Sequence, residues 1–232
     1  MPPWLGKRPQ RHHCADRGTQ MVTAPLRVLL AANWGLGERL LDALLACPEV
    51  DLLGVVTRCA PVADDPWADA ACRRARAAGL SVWDERQVQP ADLGQLVRDL
   101  KADVLWLHAY MRLLPRPVYT AARLGTVNVH ASLLPAYRGP APHHHVLRNR
   151  DPATGLTSHF VDDGVDTGPI IHQVRLALRG DETLGDLLDT LKEGAAPLVR
   201  GTVENLLDPA FHPVPQDASL ATYAPVMEGS PS

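Results

Sequence analysis

The chain has 232 residues, 46% of them hydrophobic, and a formal net charge of −3. This length suits one α/β domain with short extensions, and the charge lacks the basic excess typical of nucleic-acid-binding or membrane-surface proteins. No apolar run is long enough to span a bilayer and no secretory core opens the chain, so we expect a cytoplasmic protein. The four cysteines form no Cys-x-x-Cys pair, which favours reduced thiols over a disulfide or zinc framework.

The N-terminal part of the chain divides into a tail and a first strand. Residues 1–22 are polar, basic and aperiodic, which predicts a disordered tail whose His12, His13 and Cys14 are solvated; Met21, near its end, is an alternative start. Residues 26–32 form a short apolar run typical of a buried parallel strand. Gly35 and Gly37 then predict a turn, which the helical spacing of 38–46 follows.

The rest of the chain alternates between strand and helix patterns. Strands are predicted at 50–57, 81–83, 104–108, 125–130, 154–161 and 169–178, and helices at 67–78, 90–101, 141–149 and 184–207, the last interrupted near Pro197. This alternation predicts an α/β, Rossmann-like domain over 23–207, with a mostly parallel sheet and helices on both faces. The strand that begins with Pro169 should lie near an edge. Residues 208–232 read as a proline-rich, extended C-terminal extension.

The glycines after the first strand do not complete a dinucleotide-binding fingerprint. Gly35-x-Gly37 has Leu40 where G-x-G-x-x-G requires a third glycine, so a plain strand-to-helix turn is favoured over a nucleotide site.

A candidate reaction centre lies at the end of the 125–130 strand. Asn128 and His130 are two residues apart, so both side chains point to one face of the sheet. Two such donors converging on one point would stabilise an oxyanion. Asp166, in a later Asp- and Gly-rich loop, would favour and orient the imidazolium of His130 and could accept the proton of an attacking amine.

The sequence around Asn128, His130 and Asp166 forms a long and specific motif. N-x-H-x-S-L-L-P-x-Y-R-G at 128–139, followed by D-x-G-x-D-T-G at 162–168, resembles the folate-dependent N-formyltransferase family, and the shared segments run through most of residues 26–178. The resemblance implies that Asn128, His130 and Asp166 are catalytic, with the formyl carbonyl polarised by the amide and the imidazolium. It also places Thr157 and His159 near the cluster and leaves Ser132 a turn residue.

The same resemblance implies the co-substrate and its site. The co-substrate would be 10-formyltetrahydrofolate, and no metal is expected. The residues expected to bind it lie in two segments, Met111, Arg112, Leu113 and Leu114 in the first and Val161, Asp162, Asp163, Gly164 and Val165 in the second.

The acceptor side is less constrained. The resemblance indicates acceptor contacts for Trp34, Gly35 and Tyr137. Arg138 could bind an acceptor phosphate or carboxylate, or form a structural salt bridge. For His144 acceptor contact and solvent exposure are equally open. Three adjacent histidines, 143–145, diverge by about 100° each on a helix, so they cannot together bind one ion.

Differences between this sequence and particular enzymes of the family reduce the number of expected acceptors. The first loop lacks a Gly-Ser-rich phosphate segment, which argues against glycinamide ribonucleotide. The 215–225 segment resembles the end of the catalytic core in methionyl-tRNA formyltransferases, but the charge argues against tRNA. We therefore expect a small-molecule amine, first a nucleotide-linked amino sugar, then an amino acid, hydroxyamino acid or carrier-bound amine. Hydrolysis of formyltetrahydrofolate and folate binding without catalysis stay open, and a homodimer is expected by analogy.

Overall fold

The structure is a single sheet flanked by helices. A computed structural model of the chain describes residues 24–60, 62, 65 and 67–226; the expected tail over 1–22 lies outside them. The strands are β1 (Leu26–Ala32), β2 (Val50–Thr57), β3 (Val82–Asp84), β4 (Val104–His108), β5 (Thr126–His130), β6 (Ala153–Phe160) and β7 (Ile170–Ala177). The helices are α1 (Trp34–Leu45), α2 (Ala70–Ala77), α3 (Pro90–Asp99), α4 (Arg116–Tyr119), α5 (Pro142–Asn149), α6 (Leu184–Glu193) and α7 (Ala195–Leu207). Short 3-10 turns occur at Glu85–Gln87 and Ala218–Leu220.

The sheet has seven strands in the order β3-β2-β1-β4-β5-β6-β7. Strands β1 to β5 pair in parallel, whereas β6 is antiparallel to both β5 and β7. This confirms the mostly parallel, Rossmann-like prediction, and β7 is an edge strand as its leading proline predicts. The antiparallel return of β6 places a third polar side chain, His159, beside Asn128 and His130 of β5.

Two apolar clusters cover the sheet, which explains the near-continuous apolar runs of the central strands. Alternate residues of β1 divide between them: Leu30 packs in the larger cluster with helices α1, α6 and α7, and Leu29 packs in the smaller cluster with α3. Trp106 on β4 is fully buried. Burial on both faces is the expected state of parallel strands.

Two helix predictions are corrected. Gly35 and Gly37 lie inside α1 rather than in a turn before it, and a Cβ on Gly37 would lie 3.2 Å from the Ala32 backbone, so the glycine lets the helix start close to β1. The break in the C-terminal helix falls at Gly194 and not at Pro197. Pro197 lies in the first turn of α7, where no N–H is needed.

The prediction of reduced cysteines is wrong for one pair. Cys59 and Cys72 form a disulfide with Cα atoms 5.3 Å apart, which ties the segment after β2 to α2. Their separation of 13 residues matches no common motif, so this disulfide could not be predicted from the spacing of the cysteines. Among the described residues, no helix is both long enough and apolar enough to cross a membrane.

Candidate active site

Strands β5 and β6 together position three polar side chains. Asn128 and His130 project from the same face of β5 because side chains alternate along a strand. In the antiparallel pairing Asn128 lies opposite His159 and His130 lies opposite Thr157. His130 and His159 are 7% and 2% exposed. Burying this many polar groups requires that they satisfy one another.

Asp166 completes the cluster from the loop that follows β6. One carboxylate oxygen accepts from Asn128 Nδ2 at 3.2 Å and lies 3.5 Å from His159 Nε2. The other accepts from the backbone N–H of Gly139 at 2.8 Å and lies 3.5 Å from His130 Nδ1. The structure therefore brings together the amide, imidazole and carboxylate that the sequence indicated. It also places His159, which the resemblance put near the cluster, beside Asp166, and it adds the Gly139 N–H.

The Asp166 carboxyl is held ionised. Burial acts to raise its pKa, but the hydrogen bond with His159, the positive charge that His130 carries once protonated and the Gly139 N–H outweigh it and lower the pKa to about 2. Its backbone is left-handed, with φ of 52°. Non-glycine residues rarely adopt this conformation, and such strain is typical of functional sites.

His130 behaves differently from the sequence expectation. Its Nε2 donates to the carbonyl of Tyr137 at 2.7 Å, and its Nδ1 faces Asp166. Burial lowers the pKa of His130 below its ordinary value, although Asp166 and the Tyr137 carbonyl act in the opposite direction. Desolvation thus outweighs the preference for an imidazolium that Asp166 exerts, and the ring lies where it can take up a proton beside a carboxylate.

The amide of Asn128 is already engaged within the cluster. Besides Asp166, its Nδ2 contacts His159 Nε2 at 3.2 Å, while His159 Nδ1 contacts the Phe160 carbonyl at 2.9 Å. Since a carbonyl only accepts, Nδ1 of His159 is the donor in that contact. Asn128 Nδ2 and His159 Nε2 lie 3.2 and 3.5 Å from the same Asp166 oxygen. A substrate carbonyl would have to compete with these contacts for the Asn128 amide.

The segment after β5 supports the cluster mainly through its backbone. The Tyr137 hydroxyl donates to Asp151 at 2.6 Å, and the side chain of Arg138 is 5% exposed and donates to Gln216 at 2.8 and 3.1 Å. Both side chains are therefore occupied inside the fold. Neither the acceptor contact nor the salt bridge considered for Arg138 matches this geometry, because its partner is a neutral amide.

The loop after β1 presents an aromatic surface. Trp34 is left-handed, with φ of 58°, its Nε1 donates to Asp65 at 3.0 Å, and the Arg58 guanidinium lies 5.4 Å from its ring centre. Gly35 is buried, and a Cβ there would lie 3.0 Å from Lys192. Ala32, His108 and Val129 are neighbours in register across β1, β4 and β5. Two strand spacings, roughly 10 Å, therefore separate the ends of β1 and β5.

The three consecutive histidines at the start of α5 have different surroundings. His145 is buried and its Nε2 lies 3.0 Å from the Pro225 carbonyl, whereas the rings of His143 and His144 lie 4.4 Å apart and are partly exposed. Burial, with the charges of His144 and His130, lowers the pKa of His143 to about 4. Among the described residues there is no group of three or more side chains that could hold a metal ion.

The two segments expected to bind folate lie next to each other. Leu114 and Val161 pack against the same smaller core cluster, and the Tyr119 hydroxyl donates to Asp163 at 2.5 Å, which ties the second segment to α4. Arg112 donates to the Val88 carbonyl at 2.9 Å. Among the other residues of the two segments, the side chains of Met111, Leu113 and Val165 are 63%, 82% and 49% exposed. Asp162 accepts hydrogen bonds from Gly164 N and Thr167 Oγ1.

Comparison with known proteins agrees with this architecture. Residues 29–200 match the family model described as formyl transferase. The chain is 38% identical over 210 residues to a methionyl-tRNA formyltransferase of Nitratidesulfovibrio vulgaris (strain DP4), covering 87% of this chain and 62% of that protein. A second one, of Synechococcus sp. (strain JA-3-3Ab), is 40% identical over 156 residues, covering 66% of this chain and 48% of that protein. The chain thus spans about half to three fifths of these relatives.

Two solved structures show similar folds. Phosphoribosylglycinamide formyltransferase from Bacillus halodurans has a TM-score of 0.65 at 27% identity, covering 79% of this chain and 96% of that chain. An N-formyltransferase from Helicobacter canadensis, solved with folinic acid and dTDP-3-aminofucose, has a TM-score of 0.67 at 18% identity, covering 85% and 70%. The second likeness shows the fold alone.

Proposed function

Because this chain belongs to the formyl transferase family, we propose that it transfers the formyl group of 10-formyltetrahydrofolate to a primary amine. The observation that carries the proposal is the buried contact of Asp166 with Asn128 and His130. It combines an ionised carboxylate, a titratable imidazole and an amide donor within one hydrogen-bonded cluster. These are the groups that acyl transfer to an amine requires.

The proposed co-substrate site is the adjacent pair of segments 110–115 and 161–165. Leu113 and Met111 expose most of their apolar surface at the end of β4, and Val165 exposes half of its own. Exposed apolar side chains beside backbone polar groups suit a flat ring system with hydrogen-bonding edges, such as a pterin. The link between Tyr119 and Asp163 would hold the two segments in register for it.

In the proposed reaction the amine nitrogen attacks the formyl carbon and the bond from that carbon to the folate nitrogen breaks. The proton released by the amine passes to the His130–Asp166 pair and returns to the departing folate nitrogen, so no proton is consumed overall. The lowered pKa of His130 makes its ring an acceptor at neutral pH, and Asp166 stabilises the imidazolium once it forms. Asn128 supplies an N–H to the developing oxyanion.

For the acceptor we propose a nucleotide-linked amino sugar. Trp34 and Arg58 supply an aromatic face and a guanidinium about two strand spacings from β5, which suits a nucleobase and its phosphates. Other small amines, such as amino acids, hydroxyamino acids and carrier-bound amines, rank below it. A second candidate is methionyl-tRNA, favoured by the 38% identity over 210 residues to an enzyme of that name.

The test is an acceptor panel. Protein and 10-formyltetrahydrofolate are incubated with nucleoside diphosphate amino sugars, amino acids, methionyl-tRNA or no amine, while tetrahydrofolate release and product mass are followed. We expect release that depends on an amino sugar and a product heavier by one formyl group. Release with methionyl-tRNA alone would support the second candidate, release without amine would indicate a hydrolase, and no release would refute the proposed activity.

Two variants sharpen this test. Trp34→Ala should raise the KM for the amino-sugar nucleotide and leave folate binding unchanged, because its indole contacts Asp65 and Arg58, which belong to neither the 110–115 nor the 161–165 segment. Ser219→Ala, on an exposed 3-10 turn, is the matched control and should behave as the parent protein. A Trp34→Ala variant with unchanged acceptor KM would remove the aromatic face from the proposed acceptor site.

A further inference from the structure

The C-terminal segment, expected to be a separate extension, crosses the candidate active site. We call residues 213–225 the strap. Val214 and Ile170 exchange two backbone hydrogen bonds of 2.8 Å at the edge of the sheet. Farther along, Arg138 N donates to the Thr222 carbonyl at 2.8 Å, and Ala224 N donates to the Arg138 carbonyl at 2.7 Å. The strap is therefore anchored on both sides of the loop that carries Asp166.

Gln216 is the strap side chain that reaches inward. Its Oε1 accepts two hydrogen bonds from Arg138, at 2.8 and 3.1 Å. Its Nε2 donates to the backbone carbonyls of Asp166 at 2.9 Å and Gly168 at 2.7 Å. A glutamine amide has two donors and two acceptor sites, so all four are used. Because no capacity is left over, the amide can hold only this orientation without losing a bond.

The two groups that Gln216 joins are those that set the position of the Asp166 carboxylate. On one side, Arg138 precedes Gly139, whose N–H donates to the carboxylate at 2.8 Å. On the other side, Gln216 holds the backbone of Asp166 itself, which is in the left-handed region. Such a conformation is strained and persists only where the surroundings enforce it.

We propose that Gln216 is a positioning residue for formyl transfer, which fixes the Asp166 carboxylate against Asn128 and His130 by bridging Arg138 to the Asp166 backbone. The inference rests on the proposed function for its kinetic consequence. The hydrogen bonds by which Gln216 holds Asp166 are present whichever amine is the acceptor. Gln216 thereby supports the active site, although it touches none of the three side chains.

Two substitutions separate positioning from simple attachment of the strap. Gln216→Glu keeps an oxygen for Arg138 but loses both donors, and sets a carboxylate oxygen against the carbonyls of Asp166 and Gly168. Gln216→Ala loses all four bonds and leaves the buried Arg138 without this partner. If Gln216 only anchors the strap, the glutamate variant, with a charged bond to Arg138, should be as active as the parent protein.

The experiment measures kcat, KM for 10-formyltetrahydrofolate and thermal unfolding for the parent, Gln216→Glu, Gln216→Ala and the control Ser219→Ala. We expect Gln216→Glu to lower kcat by about tenfold to a hundredfold, with KM within about twofold and an unfolding midpoint close to the parent's. Ser219→Ala should match the parent. Unchanged kcat in Gln216→Glu, or a loss of kcat that only follows a loss of folded protein, would overturn the proposal.

A readout without turnover keeps this test separate from that of the proposed function. The 13C resonance of the Asp166 carboxyl is followed against pH by NMR in the parent and in Gln216→Glu. We expect its pKa to rise from about 2 in the variant, because the carboxylate moves away from the Gly139 N–H. A parent protein that transfers no formyl group would refute the proposed function alone, whereas an unmoved Asp166 titration would refute the role of Gln216.

Discussion

Replacing Asp166 by Asn tests whether the cluster depends on an ionised carboxylate. The carboxyl pKa falls from 3.8 to about 2 on folding, and each pKa unit corresponds to about 1.4 kcal/mol. The ionised side chain, 13% exposed, therefore contributes roughly 2 kcal/mol at neutral pH. Because the folded pKa is the lower one, this contribution is complete above about pH 4 and is lost as pH falls toward 2.

The amide introduced by Asp166→Asn lowers the free energy of unfolding for a second reason. Either orientation of its NH2 group faces a donor, the Gly139 N–H on one side or the Asn128 amide on the other. An unsatisfied buried donor costs about 1–3 kcal/mol. We therefore expect Asp166→Asn to lower the free energy of unfolding by about 3–5 kcal/mol at pH 7.

Urea unfolding followed by circular dichroism between pH 7 and 3 measures both effects. The gap between parent and variant should narrow by roughly 1 kcal/mol by pH 3, since the parent loses part of its advantage there. Asp163→Asn, on the same loop but 74% exposed, is the matched control and should show little pH-dependent gap. Equal stabilities at pH 7, or a gap that does not change with pH, would refute the reasoning about the Asp166 charge.

Three further predictions follow from particular residues. Burial lowers the pKa of His108 to about 4, so stability should fall between pH 6.5 and 4 as the unfolded chain takes up a proton there, and His108→Asn should flatten that slope in urea unfolding at several pH values. Gly139→Ala should lose at least tenfold in kcat with folate bound normally, because Gly139 has φ of 104° and the added Cβ would lie 3.2 Å from the Ala224 carbonyl; parent-like kinetics would contradict this. Denatured protein should add two alkyl groups without reductant and four with it, because Cys59 and Cys72 are bonded, and reduction should lower stability by about 3 kcal/mol for a loop of this length; four adducts without reductant would exclude the bond.

The sequence was sufficient for the sheet and for the centre of the site because both follow from local periodicity. Apolar runs mark the central strands, and a spacing of two residues places Asn128 and His130 on one face of β5. Asp166 could be connected to them only through the resemblance of its loop to a known family. No local rule relates it to a strand 36 residues earlier.

What could not be predicted depends on contacts between distant segments. Gln216 meets the backbone of Asp166 across 50 residues and the side chain of Arg138 across 78, and no nearby pattern signals either contact. The same strap decides that Arg138 is buried rather than open to an acceptor. The protonation of His130 likewise depends on how completely the fold removes it from water, which a sequence with a nearby Asp does not reveal.

Whether Asp166 is required for formyl transfer is tested most simply by single-turnover transfer of a 13C-labelled formyl group. Parent protein, Asp166→Ala and Ser219→Ala are each mixed with labelled 10-formyltetrahydrofolate and the acceptor found in the panel, and the label is followed into the product amine. We expect equal rates for the parent and Ser219→Ala, and a loss of a hundredfold or more in Asp166→Ala, which is the magnitude typical of lost general-base and oxyanion groups. Label transfer by Asp166→Ala at the parent's rate would contradict this expectation.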